Sequence, residues 1–379
     1  MTREGIEIKK IIKEKRKRII SICAVIFLLM AAMVFTYNNY FFLYKEDVVK
    51  ITAVKNEEVY EKEGLNGEVE KYYNQEITAI IKSGEYKGKS ITLNNTCSYS
   101  GVKDEGYKKG NYLFVSLSGS EDKLSANILS VKRDMYVMVL ICVFILGIVI
   151  FAGKKGVLSI ISIIMNIIIF TYALNEYVNG KDILKLCNLM IILFTMISLI
   201  LASGINKQTV CAIISTLISV ALIFIIYKIT KENFEQPEYM MMEYITNPEH
   251  LDHIFMAGVL IGGLGAIMDV AISISVAVNE LINKDKNISV KNLISSVKEI
   301  GYDIMGTMIN VLFFTYMCGT IPMLILKIKN GYKFLSIIKF QIPFEIIRFL
   351  VGAIGIVVTI PISGFIAITI LKKRRQVND

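Results

Sequence analysis

A carboxylate set deep in an apolar stretch is the strongest chemical signal in this chain. Asp269 follows Gly262-Gly263-Leu264-Gly265-Ala266-Ile267-Met268 and precedes Val270-Ala271-Ile272-Ser273, near the middle of an apolar run over 251–281. An ionised acid at the centre of a bilayer costs about 3 kcal/mol, and acids kept there carry protons or ions by default. Ser273 lies four residues on and Glu280 eleven on, so all three share one helical face at 100° per residue. The next apolar run repeats the pattern with Asp303, Thr307 and Asn310 at i, i+4 and i+7. In the last run Glu345, Arg348, Gly352, Gly355 and Thr359 fall on one stripe, with Arg348 one turn from Glu345 and able to pair with it. Polar stripes on three successive segments point to one shared interior seam in which Asp269, Ser273, Glu280, Asp303, Thr307, Asn310, Glu345 and Arg348 bind a proton or cation. Blander roles stand beside this one: packing glue for Asp269, solvated helix ends for Glu280 and Asp303, and a structural ion pair for Glu345 and Arg348.

Small residues accompany the acids. Gly262, Gly263, Gly265, Gly306, Gly352 and Gly355 would let helix backbones approach closely. Pro322 and Pro361 would interrupt their helices and free backbone carbonyls. Other chemistry is poorly supplied. The two histidines, His250 and His253, stand beside Glu249 and Asp252, an i, i+3 pair without a third firm metal ligand. No Walker loop, H-E-x-x-H or G-x-S-x-G occurs. The expectation is no catalytic residue, no metal, no cofactor and no enzyme.

The elements that must position these residues are membrane helices. The 379 residues are 54% hydrophobic, without Trp, and apolar runs near twenty residues recur; such a run spans the hydrocarbon core as a helix. The net charge of +9 is not spread as nucleic-acid binding would need. Eight Lys and Arg lie in the first eighteen positions, and Lys372, Lys373, Arg374 and Arg375 lie at the far end, as topogenic charges do. Residues 1–44 form a basic cytoplasmic start and an uncleaved anchor from about Ile19 to Tyr37, since no small-x-small cleavage site follows. Residues 45–133 are polar and β-rich. Strands are expected at Val48–Val54, Ile77–Lys82, Ser90–Leu93, Tyr112–Leu117 and Ile128–Val131, with turns at 83–88 and 109–111, giving a small barrel or sandwich of OB-like type. Residues 134–379 hold seven more apolar runs, at 135–152, 157–174, 183–203, 207–229, 251–281, 302–327 and 346–371. The fold class is therefore an all-α polytopic membrane protein of about eight transmembrane helices, with an extracytoplasmic β-rich domain between the first and second.

Charge orients the chain. The 153–156 connection, the turn at Lys207 and the Lys-rich loop 283–298 face the cytoplasm, and the acidic 230–250 loop faces out. Lys327, Lys329, Lys333 and Lys339 disagree with that parity, and Ser336–Phe344 is a candidate interfacial or re-entrant segment. Tyr37, Tyr40, Tyr44, Tyr136, Tyr172, Tyr177 and Tyr227 sit near segment ends as an aromatic belt. Cys23, Cys142, Cys187, Cys211 and Cys318 lie in apolar runs; Cys97, on the exposed polar side, has no partner for a bridge. The first five apolar segments carry almost no charge and read as lipid-facing or scaffold helices.

Three motifs resemble one family. Gly265-Ala266-Ile267-Met268-Asp269-Val270-Ala271-Ile272-Ser273 with Asn279-Glu280-Leu281 is similar to the signature of the YibE/F family of multispanning membrane proteins. So are Asp303-Ile304-Met305-Gly306-Thr307-Met308-Ile309-Asn310 with Pro322, and Glu345-Ile346-Ile347-Arg348 through Gly352 and Gly355 to Pro361. Gly84-Glu85-Tyr86-Lys87-Gly88 extends the likeness into the polar domain, while Tyr302 stands where an Arg or similar residue would be usual. The resemblance implies a multi-pass protein of the bacterial cell membrane. An anchor, an outer domain and a late Gly-x-x-x-Asp helix also resemble half of a resistance-nodulation-division or SecD/SecF-type exporter, by analogy alone. The residues favour a permease-like transporter of a small solute or ion, both termini cytoplasmic. The rival is a non-transporting sensor, assembly or insertion factor acting through the outer domain. Partners expected are the bilayer and the transported solute or ion, not nucleic acid; a second copy or another membrane protein stays open.

Overall fold

The computed structural model describes residues 23–37, 44–63, 67, 69–101, 104–119, 124–233, 251–340 and 342–373. The basic N-terminus, Tyr40, most of the acidic 230–250 loop with Glu249 and His250, and Arg374 and Arg375 lie outside them. Two compact units result, Met1–Val157 and Leu158–Asp379.

The first unit holds a short apolar helix, α1 (Cys23–Tyr37), and a five-stranded antiparallel sheet. Its strands are β1 (Asp47–Glu63), β2 (Val69–Ile81), β3 (Ser90–Ser98), β4 (Tyr112–Ser118) and β5 (Ser125–Val131), in the spatial order β3-β2-β1-β4-β5. The edge strands β3 and β5 also touch, so the sheet curls into a half-barrel. Alternation decides its inside: Val49 and Ile51, Ile77, Ala79 and Ile81, Ile91 and Leu93, and Leu113 and Val115 all point to one buried cluster. The expected turn after β2 needs glycine. Gly84 has φ +77°, and a Cβ there would lie 2.0 Å from Asp47 Oδ1, while Ser83 Oγ accepts from Val48 N at 2.7 Å. Burial pushes the Asp47 carboxyl above its ordinary range, against a hydroxyl bond from Ser83.

Two expectations are corrected here. β1 and β2 run as a longer hairpin than Val48–Val54 and Ile77–Lys82, because residues 55–63 and 69–76 are polar on both faces and lack a period-2 apolar signal. Cross-strand ion pairs join this arm instead, with Lys71 Nζ 3.1 Å from Glu58 and 3.3 Å from Glu61. Cys97 is buried, not exposed: it points to the core side of β3, and burial followed by the nearby Asp104 charge raises its thiol pKa.

α2 (Asp134–Val178) is two helical arms joined at a break. Gly153 has φ 56° and ψ −126°, and a Cβ on Gly156 would lie 2.6 Å from Ile148 Cγ2, so the chain folds tightly where the Gly-Lys-Lys-Gly connection was expected. α3 (Ile183–Ser203) starts on Asp182, whose Oδ1 accepts from Leu184 N at 2.7 Å. α4 (Lys207–Asn233), α5 (Leu251–Lys284), α6 (Val290–Lys329), α7 (Phe334–Phe340) and α8 (Ile342–Lys373) complete the second unit. Among the described residues six helical stretches are long and apolar enough to cross a membrane, counting α2 once and α7 with α8 as one. The chain is thus mostly helical and polytopic by composition. Pro322 and Pro361 sit inside α6 and α8 without ending them. A proline removes one amide, and the remaining helical bonds carry the helix past it. Within the candidate segment Ser336–Phe344, residues 336–340 belong to α7 and 342–344 to the first turn of α8, with Ile337 buried.

Candidate functional site

α8 is where glycine matters. A Cβ on Gly352 would lie 2.7 Å from Leu312 of α6, one on Gly355 2.4 Å from Ile223 of α4, and one on Gly364 2.6 Å from Val297 of α6. Gly263 of α5 would meet the Gly352 backbone at 3.5 Å, and Gly301 of α6 would strike Ile360 at 2.4 Å. Here small residues let three helices close on α8. The seams so formed are filled by Val270, Ile274, Leu312 and Ile356, all buried.

The acids are therefore not inside a shared seam, which is a correction to the sequence reading. Gly258, Gly262, Gly265, Asp269, Ser273 and Glu280 form one exposed stripe on α5, and Asp303, Gly306, Thr307 and Asn310 form another on α6. Apolar packing fills the helix contacts because burying a bare carboxylate there would cost several kcal/mol. Among the described residues a Cβ on Gly265 or Gly306 would meet nothing within 4 Å; Gly262 is different, since a Cβ there would lie 2.5 Å from the Tyr316 hydroxyl of α6. Among the described residues the side chains of Asp269, Glu280 and Asp303 make no hydrogen bond or ion pair. Thr307 and Asn310 turn back on their own helix: Thr307 Oγ1 donates to Ile304 O at 2.9 Å and Asn310 Nδ2 to Gly306 O at 2.9 Å.

Glu345 and Arg348 are placed elsewhere, at the start of α8. Arg348 Nη1 donates to Glu345 Oε1 at 3.0 Å, and its guanidinium lies 4.9 Å from the Phe255 ring centroid. Phe344 meets Phe255 edge-on at 5.4 Å. This pair ties α8 to α5 and is not joined to Asp269 by any contact.

A polar group that sequence reasoning missed lies at the centre. α4 buries Thr209, Ser215, Thr216 and Ser219, α5 buries Ser275, and α8 buries Thr359 and Ser363. Gly355 fixes the level, since its position meets both Ile223 and Ile267. Tyr227 clusters with Val351, and Cys211 with Ala367 and Leu371, so α4 runs opposite to α8. Two turns from Gly355 the three helices thus bring Ser215, Thr216, Ser219, Ser275, Thr359 and Ser363 to neighbouring levels. Ser215, Ser275 and Thr359 donate to carbonyls four residues back, at 2.7, 2.7 and 2.6 Å. Among the described residues the Thr209, Thr216, Ser219 and Ser363 hydroxyls are buried without a hydrogen-bond partner. The early segments, then, are not all scaffold; α4 is a core helix. Its legible signal was small-x-x-x-small spacing, Cys211, Ser215 and Ser219, matched by Gly355, Thr359 and Ser363 in α8.

A family model described as YibE/F-like protein matches residues 140–373, and one described as YibE/F family N-terminal domain matches residues 42–131. The chain belongs to the YibE/F family. No curated protein and no solved structure matches it. In this YibE/F chain the membrane-domain match contains both the outward acid stripes and the hydroxyl core, and the N-terminal match contains the whole sheet.

Proposed function

We propose that this YibE/F protein is a permease-like component of the bacterial cell membrane that moves a small solute or ion along the outward faces of α5 and α6. Asp269 is the group that takes up and gives back a proton or cation, and Ser273, Glu280 and Asp303 extend its path. Eight spans carry it, counting α1 and both arms of α2, with both termini cytoplasmic and residues 45–133 outside. One observation carries the reading: Asp269 is exposed, unpartnered among the described residues, and half-way along a helix otherwise fit to cross a membrane. Left against hydrocarbon it would cost about 2.5–3.5 kcal/mol, so its face meets water, solute or another polar surface. The test is water access. In a background without other cysteines, Asp269→Cys and Ser273→Cys should react in whole cells with a charged, impermeant thiol reagent, while Ile254→Cys near the start of the same stripe serves as reference. Failure of both inner positions to react, with normal accumulation, would overturn the reading.

A second reading, a sensor acting through the outer domain, is favoured by one observation of its own: a polar cleft on the β1–β3 face of the sheet.

A further inference from the structure

The sheet face turned away from the core carries an ordered lattice of side chains. Register pairs Lys55 with Glu76 and Glu76 with Asn94; the next row is Glu57, Asn74 and Thr96, and the next Tyr60, Tyr72 and Ser98. The first two rows line a cleft of about 340 Å³, within the roughly 300–1,000 Å³ usual for small-ligand sites. The third row adds an aromatic platform: Tyr60 and Tyr72 stack with centroids 4.6 Å apart and planes 12° from parallel, and Tyr60 remains exposed.

What lies beneath makes the cleft rigid. On the opposite side of the same strands Gln75 is buried and spends both ends of its amide. Its Nε2 donates to Asn56 Oδ1 at 3.0 Å and to Tyr107 O at 3.1 Å, and its Oε1 accepts from Asn95 Nδ2 at 3.0 Å and Tyr107 N at 2.8 Å. Asn95 Nδ2 also reaches Glu105 O at 2.8 Å. The amide row holds three strands and the 105–107 segment in fixed register under the cleft, so the site is preorganised.

Its chemistry selects the ligand class. The ionised groups of the cleft are Lys55, Glu57 and Glu76, and Lys55 Nζ is already 2.9 Å from Glu57. That set repels phosphate, and its one carboxylate outside the pair is too few for a tight cation site. Asn74, Asn94 and Thr96 offer donors and acceptors side by side, with Thr96 Oγ1 bonded to Asn74 Oδ1 at 2.8 Å. Planar amides and carboxylates matched to paired hydroxyls, beside an aromatic face for C–H groups, suit a sugar. Strongly curled sheets of this kind bind oligosaccharides as well as oligonucleotides.

We propose that this face of β1, β2 and β3 is a saccharide-binding site, taking a neutral oligosaccharide whose hydroxyls bond Asn74, Glu76, Asn94 and Thr96 and whose ring stacks on the Tyr60–Tyr72 pair. The full chain is placed in lipid nanodiscs free of sugar-headgroup detergents, and chitotetraose, cellotetraose and maltotetraose are titrated calorimetrically. At least one binds, its affinity unchanged between low and high salt, because no charge is neutralised. Asn94→Ala with Thr96→Ala weakens it by about tenfold or more, each lost hydrogen bond being worth about 1 kcal/mol; Tyr72→Ala weakens it and Tyr72→Phe restores it. Ser116→Ala on β4 changes nothing. Absence of binding by all three sugars at about 10 mM, where even a site of about 1 mM affinity (about −4 kcal/mol) would be largely filled, overturns the proposal. So does binding indifferent to these substitutions, or preferential capture of calcium ions or of a single-stranded oligonucleotide at the same residues. Since the membrane helices play no part, the outcome is independent of the water-access test on Asp269.

Discussion

The two faces of α5 are built from the same residue types to opposite ends. Towards α8 stand Gly263 and Ile267, where a Cβ on Gly263 would lie 3.5 Å from the Gly352 backbone, and Ser275 on the same helix is fully enclosed. On the outward face stand Gly265, Asp269 and Ser273, and a Cβ on Gly265 would meet nothing within 4 Å among the described residues. Small and polar residues in a membrane helix therefore carry no meaning until it is known which neighbour reaches them. On one face they close a core; on the other they leave a surface that the chain itself does not cover.

The largest effect should come from filling the closed face. Gly355→Leu and Gly364→Leu would drive side chains into Ile223 and Val297, and overpacking of this kind costs about 1–3 kcal/mol or more. Loss of accumulated protein or a much lowered melting temperature is expected. Gly265→Leu, the same change on the outward face, should leave the melt within about 0.5 kcal/mol; if it unfolds the protein equally, the faces are not different. Next comes function. Asp269→Asn should accumulate normally yet fail to complement a deletion strain, whereas Ser275→Ala should complement and cost only about 0.6 kcal/mol. Full complementation by Asp269→Asn would show that function does not need a titratable group at this position.

Smaller effects test the outer domain. In intact cells Tyr99→Cys should label rapidly with an impermeant maleimide, since Tyr99 is 82% exposed. Cys97, two residues away but buried with a raised thiol pKa, should stay unlabelled and gain reactivity only above the ordinary thiol range. Rapid labelling of Cys97 would contradict the sheet register. The smallest effect belongs to Asp47. Its folded carboxyl pKa is raised, so it favours the fold below the unfolded pKa, and that contribution is lost as pH rises through the folded value. Asp47→Asn should match the native chain in acid and melt no lower at neutral pH; a lower neutral melt would show that the ionised carboxylate is needed.

How much of this was legible depends on what a pattern can encode. The apolar run 183–203 became α3 residue for residue, because a long run of one polarity with a capping Asp182 leaves the helix no freedom. The turn at Ser83–Gly88 was readable because Gly84 admits no substitute. The shared face of Asp269, Ser273 and Glu280 was also readable, since 100° per residue is local geometry. Which way that face points was not, because it is decided by distant partners such as Ile223, Leu312 and Ile360 fitting the glycines of α8 and α6. The hydroxyl core stayed hidden for a related reason: Ser and Thr can satisfy their own helix, as Ser275 does through Ala271 O, so their presence in an apolar run does not say whether they are buried or exposed. The long β1–β2 arm was missed because charges such as Lys71 and Glu58 pair across strands without leaving an apolar trace.

The 40 residues of α6 have a mechanical consequence. At about 1.5 Å per residue they form a rod about 60 Å long, against a hydrocarbon core of about 30 Å. Roughly half of it has to stand clear of the hydrocarbon, and the helix is continuous from its charged beginning into its apolar remainder. An unbroken helix passes rotation along its axis, so whatever takes hold of Lys291 or Lys298 turns Asp303 and Asn310 with it.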